Sequence, residues 1–419
     1  FVVRAPGVFV ALCVLAANWL AAAEVQPALS PAAFAALVEK LSESGADFGS
    51  DNLISNEQSY LHVMPALERA RVSGGAYVGV APDQNFSYLA QIKPEIAYLI
   101  DLRRDNLLLL LLFKALFAEA PTRVGYLCLL TGRPPPEQPE RWADKTIKEI
   151  IAYVDGAKPL PESEQKKIQA RLDAVMQGFG VPLSAGDLAT IAKARSEFVA
   201  GGLALRFEVR GRGESPNYPT LRTLLAENDG AGHQLSFLAS EVAFQFVRSL
   251  QTRNLIVPVV GDVSGARAMR GIAADMKARG LRLSGFYISN VEYYLFQDRT
   301  FDAYIENLRQ FPHDERSTVI RSVFPSGGNR TLAPPVPGYY STSLVQSLDA
   351  MLADTAANKY RGYGFTTRRH SNSAVRAALA PSRMAKTPKV APVQIFPPRF
   401  GRRAIAGPES FYGGMERFL

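Results

Sequence analysis

The chain has 419 residues, of which 47% are hydrophobic and 21% are charged. This length and apolar content are enough for one large domain or two ordinary ones, so a chain disordered throughout is excluded. The net charge is +8, but residues 355–419 carry twelve Lys and Arg against two Glu, which leaves −2 for the rest of the chain. The basic character therefore belongs to a C-terminal tail and not to the body of the protein.

Residues 1–23 have the pattern of a secretory signal peptide. Arg4 precedes an apolar run from Val8 to Leu20, and three alanines follow that end at Ala23. This pattern predicts cleavage after Ala23 and a periplasmic or secreted protein. The alternatives are an uncleaved N-terminus that anchors the protein in a membrane, for which the run is short, and a wrongly assigned start of the chain.

Cysteine and histidine usage argues against disulfides and metals in the body. After cleavage Cys128 is the only cysteine, so no internal disulfide can form, and its apolar neighbours predict a small buried side chain. The four histidines are widely spaced and form no zinc-binding pattern. No metal is predicted.

Residues 24–133 read as the first half of a Rossmann-like α/β domain. Helices are predicted from Ser30 to Glu43 and within residues 55–75, where Pro65 is expected to kink the middle of the helix. A strand (Ala76 to Val80), a loop, a crossover helix and a second strand ending at Asp101 then form a β-α-β unit. The apolar run that follows predicts a buried helix.

Residues 134–235 are predicted to be a helical insertion over the α/β core. Three amphipathic helices are expected, at Trp142–Val154, Glu162–Gly178 and Ala185–Ala200, separated by Pro and Gly signals. A short strand is predicted at Ala204–Val209.

The α/β pattern returns in residues 236–360, the predicted second half of the domain. Strands are expected at Asn254–Val260, Leu281–Ile288 and Ser317–Val323, with helices at Gly265–Lys277 and Thr342–Asp354. Residues 361–419 are predicted to be a disordered basic tail. This tail is either a solvated extension or a contact for anionic lipid, cell-wall polymer or nucleic acid.

The predicted fold is a doubly wound, mostly parallel α/β sheet, which binds ligands beyond the carboxyl ends of its strands. The loop after the first strand holds one glycine, Gly79, where the dinucleotide fingerprint has three, so a pyrophosphate site is disfavoured. Asp101 is suited to accept hydrogen bonds from ribose hydroxyls. The alternative is that Asp101 caps the next helix or pairs with Arg103 or Arg104.

Two short polar segments, Ser55-Asn56-Glu57 and Ser289-Asn290-Val291-Glu292, open helical stretches near the predicted crevice. They are either N-caps or carboxylates that act as a general base or bind a cation. An anionic substrate is a possible ligand of four arginines, Arg316, Arg321 and the pair Arg103-Arg104. The alternative is that these side chains are simply solvated.

The single-glycine loop followed by a strand-end acid resembles the S-adenosylmethionine-dependent methyltransferase fold. The blocks YVGVAPDQNFSYLAQIKPEIAYLIDLRRDNL, NLIVPVVGDVSG and GFYISNVEYYLF are similar to an uncharacterised bacterial family often described as methyltransferase-like. The resemblance implies that cofactor-binding residues line the amino-acid and ribose ends of S-adenosylmethionine, and that catalytic residues face the substrate. The first set is Gly79, Pro82, Gln84, Asn85, Asp101 and Arg103, and the second is Asp262, Asn290 and Glu292.

The predicted function is therefore a methyltransferase-like protein that binds a nucleoside-type small molecule at the strand carboxyl ends. The alternative is an exported, non-catalytic protein that keeps the fold and binds a ligand or partner. Export favours the alternative, because S-adenosylmethionine is made and used in the cytoplasm.

Overall fold

A computed structural model of the protein describes residues 26–50, 52–80, 82–210, 215–324, 336–360 and 362–363. The predicted signal peptide and nearly all of the predicted tail lie outside these ranges. The described residues all belong to one compact unit, residues 1–378.

The centre of the fold is a sheet of six strands within the described ranges. They are β1 (Ala76–Val80), β2 (Ile96–Asp101), β3 (Ile256–Val260), β4 (Leu283–Ser289), β5 (Thr318–Val323) and β6 (Thr342–Ser347). Their order is β3-β2-β1-β4-β5-β6, and all neighbours pair in parallel except β6, which is antiparallel to β5. The predicted α/β class and mostly parallel sheet are confirmed.

Fourteen α-helices surround the sheet in the described part of the chain. They are α1 (Pro31–Leu41), α2 (Met64–Arg69), α3 (Gln84–Ile92), α4 (Arg104–Glu119), α5 (Arg123–Thr131), α6 (Ile147–Gly156), α7 (Glu162–Gln177), α8 (Ala185–Gly201), α9 (Leu221–Ala226), α10 (Glu241–Thr252), α11 (Ala268–Ala278), α12 (Val291–Gln297), α13 (Phe301–Arg309) and α14 (Leu348–Ala356). None of these described helices has the length and apolar character needed to cross a bilayer.

The helices cover both faces of the sheet. Gly79 of β1 adjoins Asn85 of α3, whereas Tyr98 of β2 donates a 2.5 Å hydrogen bond to Asp275 of α11. Tyr98 is in register with Val78, the residue before Gly79, and successive strand residues point to opposite faces. Helices α3, α4 and α10 therefore pack on one face, and α11, α13 and α14 on the other.

The leucine-rich helix α4 is buried on every side. Its residues from Asn106 to Phe117 are all buried, because β2 and β3 cover one side and α7 and α8 cover the other. A helix that is apolar all round requires such an interior position. The outer helices thus form a further layer on the α4 side of the sheet.

Helix α1 protects the edge of the sheet at β3. It packs against β3 and α11, and the residues after it use the backbone of Val260, whose N–H donates to Ser42 Oγ at 3.1 Å and whose carbonyl accepts from the Glu43 N–H at 2.8 Å. An uncovered edge strand would invite pairing with another chain.

Three predicted elements were wrong. The helix expected at Thr342–Asp354 is a strand, β6, followed by α14, because TSLVQS pairs along its whole length with β5 and Ser347 caps the helix by accepting from the Ala350 N–H at 3.2 Å. The strand expected at Ala204–Val209 forms only isolated bridges, Arg206 to Thr220 and Val209 to Ser50.

The helix expected within residues 55–75 is the third. It is a 3₁₀ turn, Gln58–Val63, followed by the short α2. Pro65 lies in the first turn of α2, where its missing N–H costs nothing, and so it does not kink a longer helix. The helix predicted to begin at Trp142 begins at Ile147, after a capping box between Thr146 and Glu149.

Candidate functional site

The carboxyl ends of the parallel strands share one edge of the sheet. Asp101 ends β2 and pairs in register with Val260, the last residue of β3, while Val80 of β1 pairs with Ile100. The loops that carry Gln84, Asp262 and Asn290 therefore start from this same edge. Its centre is the crevice between β1 and β4, where the strand order reverses direction.

The chain's own N-terminal region crosses this edge. We name residues 42–50 the covering segment. Its Glu43 N–H bonds the carbonyl of Val260 at the end of β3, and its Ala46 N–H bonds the carbonyl of Leu102 just beyond β2 at 3.0 Å. The Ser50 carbonyl then accepts from Arg103 Nη1 at 2.7 Å. The segment thus runs from β3 across β2 towards the crevice.

A buried carboxylate, Glu57, lies against strands β4 and β5, next to this crevice. It is 0% exposed and accepts hydrogen bonds from Tyr287 at 2.5 Å, from Ser322 at 2.5 Å and from Ser289. Burial raises the pKa of Glu57, although the three hydroxyl donors act in the opposite direction. No cationic side chain of the described residues pairs with it, so the network stabilises the carboxylate with neutral donors alone.

Gln84 extends this network to the start of α3. Its Nε2 donates to the Tyr287 hydroxyl at 2.6 Å, and the side chain is 6% exposed. Its Oε1 is buried and has no hydrogen-bond partner in the described residues. The predicted cofactor-binding residue Gln84 therefore has one free acceptor next to the Glu57 network.

The Asn85 side chain packs closely against Gly79 of β1. Asn85 Oδ1 accepts from the Tyr77 hydroxyl at 2.7 Å, and its Nδ2 donates to the carbonyls of Val80 and Pro82 at 2.9 and 2.8 Å. A side chain on Gly79 would collide with Asn85 Oδ1. Gly79 is needed here because an internal amide approaches the strand, and a ligand is not required to explain it.

Asp83 is a buried acid at the N-terminus of α3. It is 8% exposed, and burial raises its pKa to about 7, partly offset by hydrogen bonds from its own N–H and that of Gln84. Nearby, the Tyr126 hydroxyl is buried without a partner in the described residues, and the charge of Asp83 contributes to its raised pKa, after the larger effect of burial. Helix N-termini attract anions, and here the protein supplies its own.

Asp101 is held by a neighbour on the same loop. Its two oxygens accept from the Nε and Nη2 of Arg103 at 3.1 Å each, and Oδ1 also accepts from the Arg103 N–H at 2.9 Å. Arg103 is 3% exposed. Of the alternatives for Asp101, pairing with Arg103 is therefore present in the structure, and the cofactor-binding roles of both residues stay predictions.

Asp262 and Asn290 lie at the more accessible rim of the same edge. Asp262 Oδ1 accepts from the N–H and hydroxyl of Ser264 at 2.7 and 2.8 Å, which shapes the turn into α11. Asn290 Oδ1 lies 3.3 Å from the Ser289 hydroxyl and makes no N-cap bond to α12. Asn290 is therefore connected to the Glu57 network, whereas Asp262 is not.

Glu292 lies on the opposite face of the sheet. It is 0% exposed, and its Oε2 pairs with Arg321 Nε at 2.8 Å. Arg321 also donates to Gln346 at 2.7 Å. Since Arg321 and Ser322 are consecutive residues of β5, their side chains point to opposite faces, and Glu292 is separated from Glu57 by the sheet. The structure does not bring Glu292 together with the other predicted residues.

The arginines considered as anion-binding are paired with acids. Arg103 pairs with Asp101, Arg104 with Asp187 at 2.8 Å, and Arg316 with Asp314 at 3.4 Å. An anionic ligand would have to displace these carboxylates.

An aromatic contact borders the rim above β4. The ring of Phe48, in the covering segment, packs edge-on against Tyr294 of α12 with centroids 5.3 Å apart. Tyr293 packs against Tyr294 at 5.3 Å and against Tyr363 at 5.6 Å. The edge therefore combines buried acceptors with a cluster of aromatic side chains that pack on one another. Within the described ranges, no group of three or more His, Cys, Asp or Glu is arranged to hold a metal.

Several residues of this edge were missed or undervalued by sequence reasoning. Asp83 stands between two predicted site residues and could have been included by position alone. Tyr287 lies in register with Gly79, which the alternation of β4 could have indicated. For Ser322 the sequence holds no signal, because its partner Glu57 is 265 residues away.

Comparison with known proteins identifies a family without a known activity. A family model described as a domain of unknown function, DUF7790, matches residues 53–178 and 214–380, more than half of the chain. The matched stretches include Glu57, Asp83, Asp101 and Asn290 and begin after the covering segment. No curated protein matches the chain.

Proposed function

The chain belongs to the DUF7790 family, and we propose that this member binds a nucleoside-type small molecule, with S-adenosylmethionine as the candidate, at the carboxyl edge of its sheet. The observation that carries the proposal is the position of Asp101 at the end of β2, beside the crevice between β1 and β4. An acid at this position of a doubly wound sheet is suited to the hydroxyls of a ribose. The strand order with an antiparallel β6 next to β5 supports a methyltransferase-like architecture.

The acids around the crevice favour a ligand that carries positive charge and no phosphate. Asp83 is a buried acid at the N-cap of α3, the position at which a phosphate would otherwise bind. Glu57 adds a second buried carboxylate. In their ionised forms these acids would attract the sulfonium and ammonium groups of S-adenosylmethionine and repel a dinucleotide pyrophosphate. For Asp83, with a pKa of about 7, this applies above about pH 7.

In this proposal each predicted residue has a role. Gly79, Pro82, Gln84 and Asn85 lie towards the amino-acid end of the ligand, and Asp101 with Arg103 towards the ribose. Asp262 and Asn290 are the substrate-facing groups of a methyl transfer. The exception is Glu292, which pairs with Arg321 and is separated from these residues by the sheet.

A second candidate is a non-catalytic ligand- or partner-binding protein. The observation that favours it is that the covering segment crosses the edge while Asp101 and Asn85 are engaged by other residues of the chain. In this case the protein is exported or anchored by an uncleaved N-terminus, and its basic tail attaches it to anionic lipid, cell-wall polymer or nucleic acid. A mass measurement of the protein from a native-like host tests export by the loss of residues 1–23.

Isothermal titration with S-adenosylmethionine and its demethylated product tests the leading proposal. We expect binding that Asp101→Asn weakens at least about tenfold, since this variant keeps an acceptor for Arg103 but loses the charge. The control is Asp302→Asn, which removes an exposed acid at the start of α13. Absence of heat at millimolar ligand, with the protein folded by circular dichroism, would remove S-adenosylmethionine as the ligand.

A further inference from the structure

The covering segment lies next to Asp101, the predicted ribose-binding acid. Its Ala46 N–H bonds the carbonyl of Leu102, and its Ser50 carbonyl bonds Arg103, the residue that holds Asp101. It therefore contacts the two residues that follow Asp101. The Asp101 side chain is 11% exposed, and the segment borders the approach to it from solvent.

The middle of the segment is held mainly by two backbone hydrogen bonds, from the Ala46 N–H to the Leu102 carbonyl at 3.0 Å and from the Arg210 N–H to the Gly49 carbonyl at 2.9 Å. Residues 44–47 and Gly49 are exposed, and residues 42–49 form no helix or strand. The Asp47 ion pair with Arg210 joins side chains that are 83% and 43% exposed, and such pairs contribute little. Its main apolar contact is the ring of Phe48 on Tyr294. The flanking residues are held more strongly, because the Glu43 N–H bonds the carbonyl of Val260 and Ile54, beyond the segment, is buried.

The contacts couple the segment to the state of Asp101. While Ser50 accepts from one nitrogen of Arg103, the guanidinium stays in the position from which its other nitrogens bind Asp101. If residues 44–50 lift away, Arg103 loses this backbone acceptor, and the exposure of Arg103 and Asp101 rises from 3% and 11%.

We propose that residues 44–50 form a gate that opens by local movement, and that the closed gate and a ligand at Asp101 exclude each other. The inference rests on the proposed function, because it takes Asp101 as the ligand contact. The gate controls access to the site, and the affinity measured for any ligand includes the cost of opening it.

Two glycines of the segment provide a matched pair of variants. A Cβ at Gly45 would lie 3.2 Å from the carbonyl oxygen of Leu102 and 3.2 Å from Val260, closer than most side-chain contacts, whereas a Cβ at Gly49 would meet nothing within 4 Å. Gly45→Val should therefore push the gate open. Gly49→Val changes the same residue type in the same segment without this clash.

The test measures thiol modification of a Ser50→Cys protein by mass spectrometry. Ser50 is 2% exposed and Cys128 is 0% exposed, so Cys128 reports global unfolding in the same molecule. We expect the introduced thiol to react at least about tenfold faster than Cys128, with a further increase in Gly45→Val and no increase in Gly49→Val. Equal rates for the two thiols, or a rate at position 50 that Gly45→Val leaves unchanged, would overturn the gate.

Titration of the same proteins with S-adenosylmethionine separates this inference from the proposed function. Tighter binding by Gly45→Val than by Gly49→Val supports both the gate and S-adenosylmethionine as the ligand. A fast-reacting thiol at position 50 without any binding keeps the gate and removes the ligand. Binding that is equal in the two variants, with a protected thiol at position 50, keeps the ligand and removes the gate.

Discussion

The Tyr287 hydroxyl donates a 2.5 Å hydrogen bond to the carboxylate of Glu57, which lies 230 positions earlier in the chain. This bond joins the segment before the 3₁₀ turn to the central strand β4. Together with Ser289 and Ser322 it makes Glu57 the acceptor for three buried hydroxyls. Glu57 thus joins this segment to β4 and β5 through hydroxyl groups that carry no charge.

Replacing Glu57 should therefore be costly. Glu57→Ala leaves three buried hydroxyls without their acceptor, and we expect it to lower the free energy of unfolding by about 2–4 kcal/mol. Glu57→Gln should cost about half as much, because the amide oxygen can still accept. Urea denaturation measures both, with Asn56→Ala as the control at the half-buried neighbouring residue. A Glu57→Ala protein as stable as the control would contradict the role of the network.

The pH dependence of stability should report Asp83. Its pKa is raised from 3.8 to about 7 by burial, so between these values the folded protein binds a proton that the unfolded chain does not. Stability should therefore decrease as the pH rises from about 4 to about 7 and level off above, by about 1–4 kcal/mol in total.

Asp83→Asn should remove this component. The measurement is the difference in free energy of unfolding between Asp83→Asn and the unaltered protein at several pH values. The difference between the two proteins is used because burial also raises the pKa of Glu57. Titration of Glu57 therefore also lowers the stability as the pH rises, equally in both proteins. Asp302→Asn, at an exposed position, should leave the profile unchanged. A difference that does not vary with pH would show that Asp83 titrates normally.

Lys114 should produce the opposite trend at higher pH. The side chain is 3% exposed, its amine donates to the carbonyl of Gln251, and burial lowers its pKa from 10.5 to about 7. Above about pH 7 the folded protein holds fewer protons than the unfolded chain, so stability should rise between about pH 7 and pH 10. Lys114→Met should flatten this rise, whereas exposed Lys148→Met should not. An unchanged slope in Lys114→Met would disprove the assignment.

The ion pair between Glu292 and Arg321 should behave as a structural unit. Each single variant, Glu292→Leu or Arg321→Met, leaves its partner charged and buried, and we expect each to lower the free energy of unfolding by about 3–5 kcal/mol. The double variant Glu292→Leu with Arg321→Met should lose less than the sum of the two single changes. A double-mutant cycle by chemical denaturation measures the coupling, and additive losses would refute it.

The sequence predicted the parts of this fold that rest on local pattern. Strands β1, β2 and β3 and the first crossover unit were visible because buried parallel strands read as nearly continuous apolar runs. Strands β4 and β5 were predicted although they contain polar residues such as Ser284 and Arg321. Strand β6 was missed because its six residues run directly into the cap of α14, and only the pairing with β5 distinguishes it from a helical turn. Without the partner strand, residue propensities could not decide whether these six residues form a strand or a helical turn.

For the site, sequence reasoning located the edge but not what occupies it. The topology alone predicts the positions of three site residues, because Asp101 ends a strand and Asp262 and Asn290 follow strands. That Ser50 would bond Arg103, or that Asn85 would turn inward to Tyr77, depends on packing between distant segments. Such contacts leave no periodic signal in the chain.

The all-round burial of α4 makes the outer helices indispensable. If α7 and α8 were deleted, a row of leucines from Leu107 to Leu112 would lose its cover on one side. A shortened protein would then expose an apolar surface on α4, and such surfaces promote aggregation. The outer helices are therefore best regarded as part of the minimal folding unit, and a trimmed version would first need polar residues on that surface.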